Sequence, residues 1–234
     1  MRIRSPWLVV AIPLLVVGLA PAAPEKDPVA LKKGERIVFL GDSITEGGIR
    51  PKGYVTLVKN ALAEKHQDLG IEVIGAGISG NKVPDLQRRL EKDVLKKKPT
   101  LVVIYIGIND VWHGEKDPAR GTPKEKFELG LKEIIGKIQA AGGRVVLCTP
   151  TVINEKKVGT NKLDTLLDEY ANISRGVAKE TDSPLCDLRK AFLDHLAKAN
   201  PEDKEKGILT TDGVHLNDAG NKLVAETILA AIDP

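Results

Sequence analysis

The sequence predicts an α/β fold of three layers, α/β/α, in which an open parallel sheet of about five strands carries helices on both faces. Three observations predict it. Short apolar runs rich in Val and Ile recur at 36–40, 71–74, 101–106, 145–149 and 184–187, and such continuous runs suit parallel strands buried on both faces. Between them apolar residues repeat at helical spacing, and strands that alternate with helices imply a parallel sheet. The length of 234 residues, with 42% hydrophobic and 29% charged residues, fits one globular domain around one core.

The chain opens with a segment unlike the rest. Arg2 and Arg4 form a basic start, residues 7–19 are apolar, and Ala20-Pro21-Ala22 is a small-residue cleavage site. That layout predicts a secretory signal peptide over 1–22 and an exported protein, periplasmic or secreted. The alternative is an uncleaved membrane anchor, since no charge occurs between Ser5 and Pro24. Pro13 and the short apolar core speak against it, so no stable membrane association is expected after cleavage. No cysteine stands near the cleavage site to carry a lipid. Residues 23–34, rich in Pro, Lys and Glu, read as a tail, and the catalytic-size domain as 35–234.

Of the 35 basic residues, Arg2 and Arg4 lie in the signal, which leaves 33 against 32 acidic ones. A balance so even gives no basic face for nucleic acid, and 3% aromatic residues give no stacking platform for single strands.

The first strand, 36–40, leads to a helix marked by Val55, Val58 and Leu62. The second, 71–74, precedes one marked by Val83, Leu86 and Leu90, with Pro84 and Asp85 suited to its first turn. After 101–106 comes a helix of Phe127, Leu131, Ile134, Ile135 and Ile138, and after 145–149 one of Leu163, Leu166, Leu167, Tyr170 and Val177. A shorter helix at 191–199 follows the last strand, and 219–232 closes the chain. Cys148 and Cys186 fall in the last two strands, where free buried thiols are expected. The four histidines (66, 113, 195 and 215) are scattered, with no H-x-x-x-H or C-x-x-C, so no metal is expected. His66 and His195 sit in helical patterns and read as solvated.

In open parallel sheets, ligands sit beyond the carboxyl ends of the strands, so the loops that follow carry the chemistry. After the first strand comes Gly41-Asp42-Ser43-Ile44-Thr45. A serine on that turn is an exposed nucleophile or a helix cap. After the second comes Gly75-Ala76-Gly77-Ile78-Ser79-Gly80-Asn81, whose glycines spell the G-x-G-x-x-G of a dinucleotide turn. After the third comes Gly107-Ile108-Asn109-Asp110, whose asparagine is a donor into the crevice or a turn-former. Before the last helix comes Asp212-Gly213-Val214-His215. A weak serine hydroxyl needs a base, and a carboxylate that orients a histidine supplies one. The same segment also reads as a helix entry, with Asn217 as cap.

Together these blocks, in this order, resemble the SGNH hydrolase superfamily of GDSL-type esterases and lipases. The resemblance runs from about residue 35 to 232, with Ile44 where leucine is common and Leu216 where proline often follows the histidine. It implies a flavodoxin-like sheet and a serine hydrolase acting on carboxylic esters without cofactor or metal. It assigns Ser43 as nucleophile, His215 as base and Asp212 as its orienting partner. The oxyanion would be held by the N–H groups of Ser43 and Gly80 and the amide of Asn109. Asp42, Asp110, Trp112 and His113 are expected at the substrate pocket, with loops 113–123 and 151–160 as specificity elements. Gly75 and Gly77 are expected to turn the chain beside the site.

Family members deacylate sugars, lysophospholipids, simple esters and thioesters. The export signal and the lack of a large apolar lid favour a short acyl group such as acetyl, on a carbohydrate or similar small polar partner. Lysophospholipase, thioesterase or acyltransferase chemistry on the same residues is the alternative. A non-catalytic carbohydrate-binding protein on this fold is a rival of another class. A dinucleotide-dependent oxidoreductase is the remote one, because the glycine fingerprint follows the second strand and the acids Glu91 and Asp93 fall inside a helix.

Overall fold

The structure, a computed structural model, describes residues 31–233. The expected signal peptide, most of the tail and Pro234 lie outside the described residues. The elements run β1 (Arg36–Gly41), α1 (Ser43–Gly48), α2 (Tyr54–Lys65), β2 (Glu72–Gly77), α3 (Val83–Asp93), β3 (Leu101–Tyr105) and α4 (Ile108–Trp112). They continue with α5 (Lys124–Ala140), β4 (Arg144–Cys148), α6 (Asp164–Glu180), β5 (Leu185–Cys186), α7 (Leu188–Ala199) and α8 (Asp218–Ile232).

All strand pairs are parallel, in the order β2-β1-β3-β4-β5. The sheet is thus the open, doubly wound one expected. Residues 37–40 and 101–104 are fully buried, because helices cover both faces of the central strands. α8 packs on α2 and α7, while α5 packs on α3 and α6 and buries Phe127, Leu131, Ile134, Ile135 and Ile138. The winding direction reverses between β1 and β3. Loops on either side of such a reversal diverge, and the crevice they leave at the strands' carboxyl ends is where this fold binds ligands.

The structure departs from the sequence reading at several points. β2 runs on to Gly77, so Gly75 and Gly77 are strand residues, not turn residues. Their bareness makes room for α1: a Cβ on Gly77 would lie 2.1 Å from the Glu46 nitrogen, and one on Gly75 2.3 Å from Ile49 Cγ2. A dinucleotide turn instead opens a helix within its glycine run, whereas α3 begins only at Val83. As an edge strand, β2 is also less buried than its apolar start suggests.

β5 pairs over two residues only, since Asp187 turns to cap α7 and accepts the Lys190 N–H at 3.1 Å. α1 and α4, of six and five residues, are too short to show a helical period and were not expected. His66 is not simply solvated, because its Nε2 lies 2.8 Å from Asp233 Oδ2 at the end of α8. Cys148 and Cys186 face each other in register as buried, free thiols.

Candidate active site

β1 ends at Gly41, and the chain turns at once into α1, so Ser43 is the first helical residue beyond the strand tip. Asp42, not Ser43, is the helix cap: its Oδ1 accepts the Ile44 N–H at 2.9 Å. Ser43 is thereby free of a capping role. Its own N–H opens a helix and has no intrahelical acceptor.

The loop before α8 brings His215 across the strand tip. Ser43 Oγ lies 2.9 Å from His215 Nε2, and His215 Nδ1 lies 2.7 Å from Asp212 Oδ2. With Nδ1–H donating to the carboxylate, Nε2 is left to accept the serine proton. Asp212 Oδ1 accepts the N–H groups of Val214 and His215 at 3.0 and 2.8 Å, so one carboxylate shapes the turn and orients the ring. Burial pushes the Asp212 carboxyl up, but the bonds from the His215 ring and the two N–H groups outweigh it and hold it below its ordinary value. Asn217 caps α8 through Gly220 N–H at 3.0 Å, so the helix-entry reading and the histidine pairing both hold for this segment.

The second and third blocks meet beside Ser43. Gly80 adopts φ of +75°, a conformation that favours glycine. Asn109, buried at the start of α4, donates one amide hydrogen to Asn81 O at 3.1 Å. Its other contact, to Asp42 Oδ2, is 3.5 Å, at the outer limit for a hydrogen bond.

Asp42 and Asp110 lie beneath the crevice instead of in its wall, each 2% exposed. Burial pushes Asp42 up to about 7 and Asp110 up to about 6, against N–H donors from Ile44 and Val83. Each braces a backbone N–H, Asp42 that of Ile44 and Asp110 that of Val83. His113 stands next to Gly80, where a Cβ would meet its ring carbon at 3.9 Å. Burial, then the nearby Lys82 and Arg120 charges, push His113 below the usual histidine value. Trp112, partly exposed, tilts against His113 with ring centroids 6.3 Å apart.

A cleft opens beside Ser43, over the loop joining α1 to α2. It holds about 390 Å³ and is walled by Glu46, Arg50, Lys52, Ser79, Thr211 and Asp218 among others. Trp112 and His113 are not in that wall. Sequence reasoning missed this cleft, because nothing in the stretch Arg50-Pro51-Lys52-Gly53 marks it as more than a loop. It also missed the braces. Glu46 accepts from the Ser79 N–H and hydroxyl, and Arg89 joins Asn81 Oδ1 to Gly41 O at 2.7 Å each. Among the described residues, no group of three or more His, Cys, Asp or Glu is placed to hold a metal ion.

The model of the GDSL-like lipase/acylhydrolase family matches residues 39–223, a span that contains every block of this site. The chain belongs to that family. It is accordingly a carboxylic ester hydrolase. An acetylxylan esterase of Geobacillus stearothermophilus is 33% identical over 213 residues, 85% of this chain and 94% of its own. A crystal structure of an acetyl xylan esterase is 46% identical with a TM-score of 0.81, and the match covers 84% of this chain and 99% of that one. An isoamyl acetate-hydrolyzing esterase 1 homolog of Mus musculus is 24% identical over 214 residues, 85% of this family member and 81% of its own length.

Proposed function

We propose that this family member is an exported serine esterase that removes acetyl groups from a carbohydrate or similar polar alcohol. The observation that carries the reading is the Ser43–His215–Asp212 relay, with contacts of 2.9 and 2.7 Å, at the edge of a cleft walled largely by polar side chains. A lipid-chain tunnel would need apolar walls, whereas hydroxyl-rich partners need donors and acceptors. The relatives' names share acetyl esters but differ in the alcohol, acetylxylan against isoamyl acetate. The acyl group is therefore the more firmly supported half. Export rests on the N-terminal sequence alone, whose apolar core and cleavage site have the signal layout.

In this reading, Ser43 Oγ attacks the ester carbonyl carbon as its proton passes to His215 Nε2. The tetrahedral oxyanion is held by the N–H groups of Ser43 and Gly80 and by the Asn109 amide. Collapse breaks the bond to the alcohol, which leaves with the proton from His215. Water then attacks the acetyl-serine by the same proton route, releasing acetate and restoring Ser43.

Purified protein should release acetate from acetylated xylooligosaccharides, and should turn over p-nitrophenyl acetate faster than the butyrate or octanoate. A fluorophosphonate should label Ser43 covalently. Rates that rise with chain length would make it a lipase instead, and an unlabelled Ser43 would end the serine mechanism. Asn109→Ala should lower kcat by about 100- to 1,000-fold with KM little changed, the usual effect of losing one oxyanion donor. An Asn109→Ala variant with wild-type kcat would remove that residue from the site.

A further inference from the structure

Asp212 and His215 sit on a stretch of chain, residues 200–217, that has no helix or strand beyond the single bridge Thr210–Leu216. A base on irregular backbone needs something else to hold it within a fraction of an ångström of its nucleophile. Besides the local bonds from the Thr211 N–H to His215 O at 2.8 Å and from the Asn217 N–H to Leu209 O at 3.0 Å, that role falls to a buried carboxylate from the loop after β4. Glu155 is 1% exposed. It accepts the N–H of Ile208 at 2.7 Å through Oε2, and those of Leu209 and Thr210 at 2.8 and 2.5 Å through Oε1. The Thr210 hydroxyl also donates to it, at 2.6 Å.

Three consecutive backbone donors that would elsewhere pair with a strand are thus gathered on one side chain. The connection continues into the turn itself. Having donated its proton to Glu155, Thr210 Oγ1 accepts the Gly213 N–H at 3.1 Å. The neighbouring Asn154 N–H donates to Gly213 O at 2.8 Å. Both backbone polar groups of the residue that follows Asp212 are therefore held from residues 154 and 155, directly or through Thr210. Glu155 is held in turn, its N–H donating to Glu205 O at 2.8 Å and its carbonyl accepting from Asn200 Nδ2 at 2.8 Å.

We propose that Glu155 is a positioning residue for the reaction, which sets the Asp212–His215 pair against Ser43 by way of Thr210 and Gly213. The inference rests on the reading of His215 as base. A carboxylate suits the place because four donors converge on it, and a group that only accepts can meet all of them. Glutamine would turn an N–H₂ toward backbone N–H groups at one of the two oxygen positions.

The test uses the full chain with Glu155→Gln, Thr210→Val and His215→Ala. Glu155→Gln should lower kcat by up to about 100-fold with KM nearly unchanged, the effect of a displaced catalytic group. Thr210→Val keeps the side-chain volume and removes only the relay, so it should fold even if Glu155→Gln does not. It should lower kcat about tenfold, within the same range. In both, the acidic limb of the kcat/KM profile should move, and the downfield proton signal of the His215–Asp212 hydrogen bond should shift or broaden. A merely structural role would lower melting temperature and leave the limb and the proton signal in place, and that result would overturn the proposal. Wild-type kcat in Thr210→Val would overturn it too. His215→Ala separates the two readings: if it stays active, the base assignment has failed, and if it is inactive while the others match wild type, only the role of Glu155 has failed.

Discussion

Ser43→Ala is expected to lower kcat by about a millionfold, the scale seen when a serine nucleophile is removed from a working relay. The oxygen lost lies 2.9 Å from His215 Nε2 and, in the proposed mechanism, forms the bond to the acyl carbon. Little else should change. Ser43 makes no capping bond, since Asp42 holds the start of α1, and alanine suits the first turn of a helix. Melting temperature and circular dichroism should therefore match wild type, within the about 0.5 kcal/mol typical of such sites. The residual rate would come from the oxyanion donors and from binding alone. Retention of even a tenth of the wild-type rate on p-nitrophenyl acetate would place the nucleophile elsewhere.

Asp212→Asn should lower kcat by about 1,000- to 10,000-fold without disturbing the fold. The amide oxygen can still accept the N–H groups of Val214 and His215, as Asp212 Oδ1 does at 3.0 and 2.8 Å. That leaves the amide nitrogen facing His215 Nδ1, where a donor meets a donor. The ring escapes by moving its proton to Nε2, and Nε2 can then no longer take the proton of Ser43. The effect should fall toward the lower end of the range, because His215 and Asp212 are 41% and 49% exposed and water can stand in for part of the pair. A variant within tenfold of wild type would show that Asp212 shapes the turn without orienting the ring. Its hydrogen bonds hold the Asp212 carboxyl below the ordinary range, so Asp212 should stay ionised to lower pH than a free aspartate.

The strands were legible because parallel strands between two helical layers must be apolar on both faces, as 37–40 and 101–104 are. The edge strand was read short for the same reason, since half-exposed positions and glycines break the run that marks a buried strand. The blocks of the site were legible because each is short and local, three of them beyond a strand and the fourth before the last helix. Gly75 and Gly77 show where local reading fails. Their spacing suits a phosphate turn, but what requires them is α1 lying against the strand, a contact between segments about thirty residues apart. Asp42 and Asp110 fail similarly, for adjacency to Ser43 and Asn109 in the chain does not say which way a side chain points.

By itself the sequence determined the sheet and the family, because periodicity and short motifs are local properties of a chain. Only the tertiary structure decided the rest. It set where a cleft opens beside Ser43, which acids are buried next to the site, and that Glu155 gathers the backbone leading to His215. Those are matters of direction and of partners far apart in the chain, Glu155 and Thr210 being 55 residues apart. A lone buried carboxylate in a polar loop has no period to betray it, and its role exists only once the donors it satisfies have been brought to it.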